Sequence, residues 1–309
     1  MSEKIQINKL PVNTWNRLGV NYAEVEWEEN APAKQSITVK SGEAPEPFRL
    51  DFSEAGDKEV SFTAEENSSI TVYELHRSNS AVKLSFDIGK NASVKLVQLL
   101  NPTEKLRHET AARCSKGGKF QIMTIMTGDG DIYSDNRTEL EGDSSSINVE
   151  VAYLGKNSQT IDYNIAVNHW GKDTHSEINA AGALMDSAKK VFRGTIDFKT
   201  GSSDSKGSEN ETVIMLGDDV VNKTVPLILC SEENVEGSHG ATIGELDDDT
   251  LFYFESRGIG REEAERIMAY AALKRLIRLS DDKEFAEQAQ KALGIIAVSY
   301  THLTLPTIA

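Results

Sequence analysis

The chain has 309 residues, 39% of them hydrophobic, and a formal net charge of -16 at pH 7. Because such an acidic chain repels nucleic acid and anionic lipid, the charge argues against a role in binding DNA or a membrane surface. The sequence contains no run of about 18 apolar residues, and its start, MSEKIQINKL, has no apolar signal segment. The two cysteines, Cys114 and Cys230, lie far apart, which excludes a disulfide framework and a paired-cysteine metal knuckle. We therefore expect a cytoplasmic protein.

Residues 1–35 are predicted to form an irregular N-terminal segment with one short amphipathic stretch at 10–20. From residue 36 to residue 251, short runs rich in Val, Ile, Thr, Tyr and Phe alternate with Gly, Asn, Asp and Ser, which predicts β-strands bounded by turns. Examples of these runs lie at 36–39, 60–63, 69–74, 82–87, 93–99, 120–127, 147–154, 160–168, 191–197, 211–216 and 227–229. Because no helical pattern intervenes, the body is expected to be a sandwich, a barrel or a β-solenoid. The loose, uneven recurrence of the runs slightly favours the solenoid over the sandwich.

A helical pattern replaces the strand pattern after Gly258. Apolar residues at three- and four-residue spacing predict one helix that begins at Arg261 and includes Leu276. Acidic residues fill its first turn and basic residues fill its last turn, which complements the helix dipole. The chain is therefore expected to pass from a β body to a helical region at this point.

A second helix is predicted to follow, with Ser280 as its N-cap and its end near Leu293. The helical region, residues 252–297, is too small to fold alone, so it is expected to pack on the β body or on a partner. Residues 298–309 (VSYTHLTLPTIA) do not continue the helical pattern. They resemble translated adapter sequence, and we interpret them as a non-native tail.

The common nucleotide-binding and hydrolase motifs are missing from the sequence, including GxxxxGK[ST], GxSxG and HExxH. His169 and His175 flank a short loop and could share a metal, although two loop histidines are the favoured interpretation. His76 and His108 have no ligand partners nearby in the sequence. Cys230 directly follows an apolar run, so a buried structural thiol is the default expectation there.

His239 lies where the strand pattern gives way to the helical pattern, between Ser238 and Gly240. Its small neighbours leave little crowding beside the imidazole, which suits exposure to a ligand or a partner. From the residues alone, an ordinary histidine in a turn is the simpler interpretation.

One long segment resembles the C-terminal signature of the SufB/SufD family, the scaffold components of the Suf iron–sulfur cluster assembly machinery. It is SHGATIGELDDDTLFYFESRGIGREEAERIM at 238–268. Shorter segments are also similar to the family: LPVNTWNRLGVN at 10–21, YLGKNSQTIDYN at 153–164, THSEINAAGAL at 174–184 and VFRGTIDF at 191–198. The resemblance covers most of residues 10–295.

The resemblance implies a mainly β fold with a right-handed parallel β-helix (β-solenoid) core. It places a short N-terminal segment at 1–35, the core at 36–251 and a C-terminal helical hairpin within 252–297. In this family, SufB and SufD pair through their β-helices, and each binds a SufC ATPase through its C-terminal helical region. The implied ATPase dock of this chain includes a charged residue and three apolar ones: Arg261, Ile267, Met268 and Leu276.

The His-Gly-Ala-Thr sequence at 239–242 resembles SufD, since SufB typically has His-Glu-Ala-Thr there. His239 matches the SufD histidine at the SufB–SufD interface, where the cluster is thought to assemble. The resemblance therefore implies a cluster-proximal or metal-ligating role for His239. Many SufD proteins have a cysteine two residues earlier, where this chain has Gly237, and Cys230 does not match that position.

The sequence is best interpreted as a SufD-like scaffold subunit without catalytic activity of its own. Its expected partners are a SufB-like subunit, a SufC-like ABC ATPase and, indirectly, a cysteine desulfurase system. Its expected cofactor is a transient iron–sulfur cluster held jointly with a partner, because clusters usually need four thiolates and this chain has two cysteines. One alternative is a homo-oligomeric SufBD-type scaffold. A more remote alternative is a β-helix enzyme that acts on polysaccharide.

Overall fold

The computed structural model describes residues 3–246 and 248–294. Its body is a parallel β-solenoid in which successive strands alternate between two eight-stranded sheets. The prediction of a mainly β, solenoid body followed by C-terminal helices is confirmed. The predicted non-native tail, residues 298–309, lies outside the described residues.

A pair of antiparallel strands precedes the solenoid. These strands are β1 (Glu3–Ile7) and β2 (Ala23–Trp27), with a 3-10 turn at Asn16–Leu18 between them. The pair corrects the expectation of an irregular segment at 1–35. Alternation of polar and apolar residues in each strand places Ile7, Val25 and Trp27 in one apolar cluster, which packs against the solenoid.

The two sheets of the solenoid are called here the odd sheet and the even sheet, after the numbers of their strands. The odd sheet contains β3 (Ala33–Val39), β5 (Lys58–Ala64), β7 (Ala81–Ile88), β9 (Lys105–Cys114), β11 (Asp131–Leu140), β13 (Thr160–His169), β15 (Lys189–Phe198) and β17 (Val221–Cys230). The even sheet contains β4 (Phe48–Phe52), β6 (Ser69–His76), β8 (Ser93–Leu100), β10 (Lys119–Met126), β12 (Ser146–Gly155), β14 (His175–Met185), β16 (Ser205–Leu216) and β18 (Val235–Gly244).

Inward-facing side chains form the core by stacking from coil to coil. The parallel register places Phe62 beside Phe86 on adjacent strands, and their rings stack with centroids 5.1 Å apart. Phe120 of the even sheet meets Phe86 across the lumen at 5.2 Å. The strands inside the stack therefore bury about every second residue in the lumen, which is the pattern that the alternating runs predicted.

Several corners of the coils use Asn or Asp in the left-handed backbone conformation. These two residue types tolerate positive φ better than other side chains, so they permit a tight corner without glycine. The corner residues with positive φ are Asn67, Asn91, Asn157, Asp173, Asp186 and Asp204.

The runs given above as examples do not include five strands of the solenoid: β4, β9, β11, β14 and β18. In β9 and β11, several inward positions hold polar residues, such as His108, Thr110 and Asn136, and the outward positions are often charged. The apolar alternation is therefore weak, although neighbouring coils supply the hydrogen bonds and the burial that make these segments strands.

Within residues 248–294, four helices follow the solenoid: α1 (Asp248–Glu255), α2 (Arg261–Ala269), α3 (Ala271–Leu279) and α4 (Lys283–Ala292). The single helix predicted from Arg261 is in fact two helices, because the chain departs from ideal helical geometry at Tyr270 (φ -89°, ψ -5°). None of the described helices is long and apolar enough to cross a membrane.

The predicted N-cap of the last helix is also corrected. Ser280 has helical dihedral angles and ends α3, and its hydroxyl donates to the Ile277 carbonyl at 2.7 Å. Asp282 is the N-cap of α4, because its extended backbone lets its carboxylate accept from the Phe285 N–H at 2.7 Å.

Helices α3 and α4 cover part of the outer face of the even sheet. Leu273 and Phe285 belong to one buried apolar cluster with outward-facing side chains of that sheet, including Leu99 and Met123. The Tyr73 hydroxyl donates to the Ser280 carbonyl at 3.0 Å, which fixes the end of α3 over β6. The helices therefore cover a face of the solenoid, and β17 and β18 remain the terminal strands of their sheets.

Candidate functional site

The last coil of the solenoid consists of β17 and β18, and each strand has a neighbour on one side only. β17 pairs with β15, and β18 pairs with β16. Within residues 3–246 and 248–294, no further strand continues either sheet beyond them. Each terminal strand therefore presents a row of backbone N–H and C=O groups that another strand could pair with.

Strand β18 has few of the features that usually protect an edge. Eight of its residues are exposed and the other two are half-buried. Its sequence, VEGSHGATIG, carries one charged side chain, Glu236, and no proline. Edge strands of monomeric proteins usually carry lysine, proline or a bulge that prevents pairing. This edge is therefore suited to association with another chain.

His239 lies in the middle of β18, on the face that continues the inner wall of the solenoid. The register pairs it with Glu209, whose side chain is buried inside the preceding coil. Gly237, two residues earlier on the same face, sits over Ile228 and Phe198, which are 3.2 Å from the position its Cβ would take. His239 nevertheless stays exposed, because in the part of the chain that the structure describes no further coil covers the last one.

Cys230 is exposed, which corrects the expectation of a buried thiol. It is the last residue of β17, where no further coil covers it, and its Sγ lies 2.9 Å from the Glu232 carbonyl oxygen. The chain turns from there into Val235, four residues before His239 on β18. Four residues of strand span about 13 Å, so Cys230 and His239 lie in different parts of the terminal coil.

A polar cluster fills the lumen directly below the terminal coil. Glu211 forms a buried ion pair with Lys190. Its carboxylate also accepts from the hydroxyls of Tyr153 at 3.1 Å, Tyr163 at 3.0 Å and Thr224 at 2.5 Å. Burial lowers the pKa of Lys190 and raises those of both tyrosines. Four donors therefore hold one buried carboxylate in place.

Glu209 is the second carboxylate of this cluster and lies under His239. Burial, with a further contribution from the neighbouring Glu211 charge, raises the pKa of Glu209 to about 8, and Lys190 opposes the change. The side chain reaches across the lumen to Gly194, where an added Cβ would lie 2.2 Å from Glu209 Oε2. Glycine at position 194 therefore makes room for this carboxyl group.

Of the two loop histidines considered as a metal pair, His169 is structural and His175 is exposed. His169 is buried, and its ring nitrogens lie 2.7 Å from Thr174 Oγ1 and 2.9 Å from Ser176 Oγ. Burial lowers the pKa of His169 to about 3. His175 begins the next strand and points to solvent. Among the residues that the structure describes, no group of three or more His, Cys, Asp or Glu side chains could hold a metal.

His76 and His108 do have a partner, contrary to the sequence interpretation. Both lie beside the buried Glu74 carboxylate, with His108 Nε2 2.8 Å from Glu74 Oε1 and His76 Nδ1 at 3.9 Å. Burial lowers the pKa of His76 to about 4. Glu74 and His108 are 34 residues apart in sequence, so only the stacking of coils brings them together.

The four residues of the expected ATPase dock differ in exposure. Arg261 is exposed at the start of α2, and its guanidinium lies 3.4 Å from Glu265. Ile267 and Met268 are half-buried on the same helix. Leu276 is buried against the even sheet, so its side chain takes part in packing within the chain.

The fold and the terminal coil define a class of protein: a parallel β-solenoid with an exposed last coil, followed by helices that pack on one of its sheets. A family model described as SUF system FeS cluster assembly, SufBD core domain, matches residues 53–272. The chain belongs to this SufB/SufD family, and within it the chain is SufD-like.

Curated relatives agree with this assignment. The chain is 31% identical to the iron–sulfur cluster assembly protein SufD of Bacillus subtilis over 225 residues, which cover 69% of this chain and 51% of that protein. It is 21% identical to SufD of Escherichia coli over 218 residues, which cover 70% of this chain and 51% of that protein. A SufBD family protein of Pyrococcus horikoshii is 24% identical over 228 residues, or 71% of this chain and 51% of that protein. The chain thus spans about half the length of these relatives.

Proposed function

We propose that the chain is a SufD-like scaffold subunit of an iron–sulfur cluster assembly complex in the cytoplasm, without catalytic activity of its own. It pairs with a SufB-like subunit through its terminal coil and docks a SufC-like ABC ATPase through its helices. The observation that carries the proposal is the exposed, unprotected last coil with His239 at its centre. The names of the relatives support the cluster-assembly role.

Pairing of the terminal coil with a second solenoid follows from the backbone groups at its edge. A strand added beside β18 would satisfy unpaired N–H and C=O groups and would cover side chains that are now in water. It would also bring residues of the partner close to His239. The resulting interface would combine main-chain hydrogen bonds with the apolar contacts of Ile243 and Val221, which are both exposed here.

The proposed role of His239 is to supply one ligand or one interface contact for the cluster cargo. A neutral imidazole donates a lone pair to iron. Cys114 is buried, and burial raises the pKa of its thiol to about 12, so it is a poor source of thiolate. Cys230 lies at the corner between β17 and β18, whereas His239 lies in the middle of β18. The partner is therefore expected to supply most of the thiolates.

The ATPase dock is proposed on α2, around Arg261, Ile267 and Met268. These residues keep exposed or half-buried side chains, whereas Leu276 of α3 contributes to the packing that holds the helices on the even sheet. Closure of two ATPase subunits would then move the helices and change the exposure of the terminal coil. Such coupling requires the ATPase to bind one arrangement of the helices more tightly than the other.

Replacement of His239 by Ala tests the proposed role directly. We expect the His239→Ala complex to assemble normally, because the imidazole is exposed. Its cluster content per complex should fall at least about ten-fold, which is the usual scale of loss when a side chain that supports a metal site is removed. His175→Ala is the matched control, since His175 is exposed on the same sheet two coils away. The readout is cluster absorbance and iron content after anaerobic purification. Equal cluster content in wild type and His239→Ala would remove His239 from the site.

A further inference from the structure

The N-terminal strand pair extends along the outer face of the odd sheet towards the open end of the solenoid. Near its base, the apolar cluster of β1 and β2 contacts Ala81 of β7 and Tyr133 of β11. Farther along, the Asn8 amide donates to Asp162 of β13 at 2.6 Å. These contacts follow the order of strands in the odd sheet, so the segment crosses one coil after another.

The path continues to the last coil. Arg193 of β15 donates to the Val20 carbonyl at 2.5 Å, and Lys223 of β17 donates to the Leu18 carbonyl at 2.6 Å. Leu10 and Val20 are buried against Val225 of β17. Residues 11–19, called here the tip, therefore lie at the terminal strand of the odd sheet, next to its open edge.

The tip is tied together by its own hydrogen bonds. The Asn21 side chain accepts from the Thr14 N–H at 2.7 Å and donates to Asn16 Oδ1 at 2.6 Å. The Leu18 N–H donates to the Trp15 carbonyl at 3.0 Å, and Gly19 takes the left-handed conformation (φ 61°) that ends this turn. The tip is thus held in one shape before any partner arrives.

Three large apolar side chains of this ordered tip remain in water. Trp15 is 65% exposed, Leu18 is 52% exposed and Val12 is 43% exposed. Leu10 and Val20, which flank the tip, are buried on β17. An ordered segment that buries its flanks and presents Trp and Leu to solvent is typical of an interface, where aromatic anchors contribute most of the binding free energy.

We propose that the tip packs on the outer face of the partner solenoid when that solenoid continues the odd sheet past β17. We call this contact the clasp. The proposal rests on the pairing described above. A strand added beside β17 would lie about 4.8 Å farther along the axis, where Trp15, Leu18 and Val12 can pack on its outward side chains. The protein that the tip contacts is the SufB-like partner, and the tip adds a second contact outside the main-chain pairing.

Serine substitutions test the clasp in the full chain. Leu18→Ser and Trp15→Ser remove exposed side chains of the tip. Leu279→Ser is the control, because Leu279 is similarly exposed (49%) and its neighbour Ser280 contacts β6 and β8, far from the open end. The measurement is the dissociation constant for the purified SufB-like protein of the same genome. Unchanged unfolding temperatures check that the variants are folded.

We expect the dissociation constant to be at least about ten-fold larger for Leu18→Ser and for Trp15→Ser than for wild type. The dissociation constant of Leu279→Ser should lie within about two-fold of the wild-type value. If wild type binds and both tip variants bind equally well, the clasp is wrong while the proposed pairing stands. If wild type itself does not bind the partner, the pairing and the clasp are both wrong.

Discussion

Replacement of Glu211 by Gln is expected to lower the free energy of unfolding by about 3–5 kcal/mol, the usual cost of breaking a buried ion pair from one side. The substitution keeps the shape of the side chain but leaves the buried Lys190 ammonium without its carboxylate. It also weakens the acceptor for Tyr153, Tyr163 and Thr224. These groups lie on β12, β13 and β17, so the substitution disturbs several neighbouring coils at once.

Glu209→Gln is the matched control and should act in the opposite direction. The fold keeps Glu209 protonated up to about pH 8, whereas its ordinary pKa is 4.5. Between pH 4.5 and about pH 8 the unfolded chain releases this proton while the folded chain keeps it. The contribution of the neutral carboxyl to the free energy of unfolding is therefore fully present below pH 4.5 and is lost as the pH rises to about 8. Gln cannot ionise, so Glu209→Gln should gain stability relative to wild type over this range, by a few kcal/mol at about 1.4 kcal/mol per pKa unit.

Urea unfolding of the two variants and wild type between pH 4.5 and pH 9 measures both effects. The expected outcome is a loss for Glu211→Gln and a gain for Glu209→Gln that grows with pH. Equal destabilisation by both substitutions at pH 9 would mean that the two carboxylates have the same role and that Glu209 is not held neutral by the lumen.

Arg193→Met is the second substitution with a large expected effect, again about 3–5 kcal/mol. Arg193 is fully buried on the outer face of the odd sheet, and its guanidinium lies 2.6 Å from Asp162. Burial raises the pKa of Asp162, and Arg193 opposes this change. The same guanidinium donates to the Val20 carbonyl, so its loss also releases the N-terminal segment.

A double substitution separates the cost of the unpaired Asp162 carboxylate from the cost of losing the hydrogen bond between Arg193 and the Val20 carbonyl. Asp162→Asn in the Arg193→Met background removes the uncompensated carboxylate and should recover part of the lost stability. Arg113→Met is the control, because Arg113 is well exposed and its contact with Glu141 contributes little. Thermal unfolding of the four proteins is the measurement. An Arg193→Met protein as stable as Arg113→Met would show that the buried pair does not hold the N-terminal segment.

The solenoid was predictable because its inner coils bury alternate residues, and many of their strands show this alternation directly in the sequence. The repeat itself was hidden by a change in coil length. Ser69 and Ser93, which hydrogen-bond across adjacent coils, are 24 residues apart, whereas Asn148 and Glu177 are 29 apart. A search for one fixed period fails on such a chain, because the register spacing between adjacent coils of the even sheet rises from 24 residues at Ser69 and Ser93 to 31 residues at His175 and Lys206.

The buried polar clusters were not predictable from local patterns. Lys190 and Glu211 lie on different sheets, 21 residues apart, and each looks like an ordinary surface residue within its own strand. Cys230 was predicted wrongly for a related reason, since the sequence does not show that β17 belongs to the last coil. His239 was singled out by its family signature, and the register with Glu209 was visible only after the coils were aligned.

The pairing proposed for the open end is tested most directly by native mass spectrometry of the anaerobically purified complex. The tagged chain is expressed with the proteins encoded beside it. The expected result is one assembly that contains this chain, a longer cysteine-bearing β-solenoid relative and an ABC-type ATPase. Recovery of a homodimer with the ATPase alone would contradict that pairing and support a self-sufficient scaffold, and recovery of the isolated chain would contradict both.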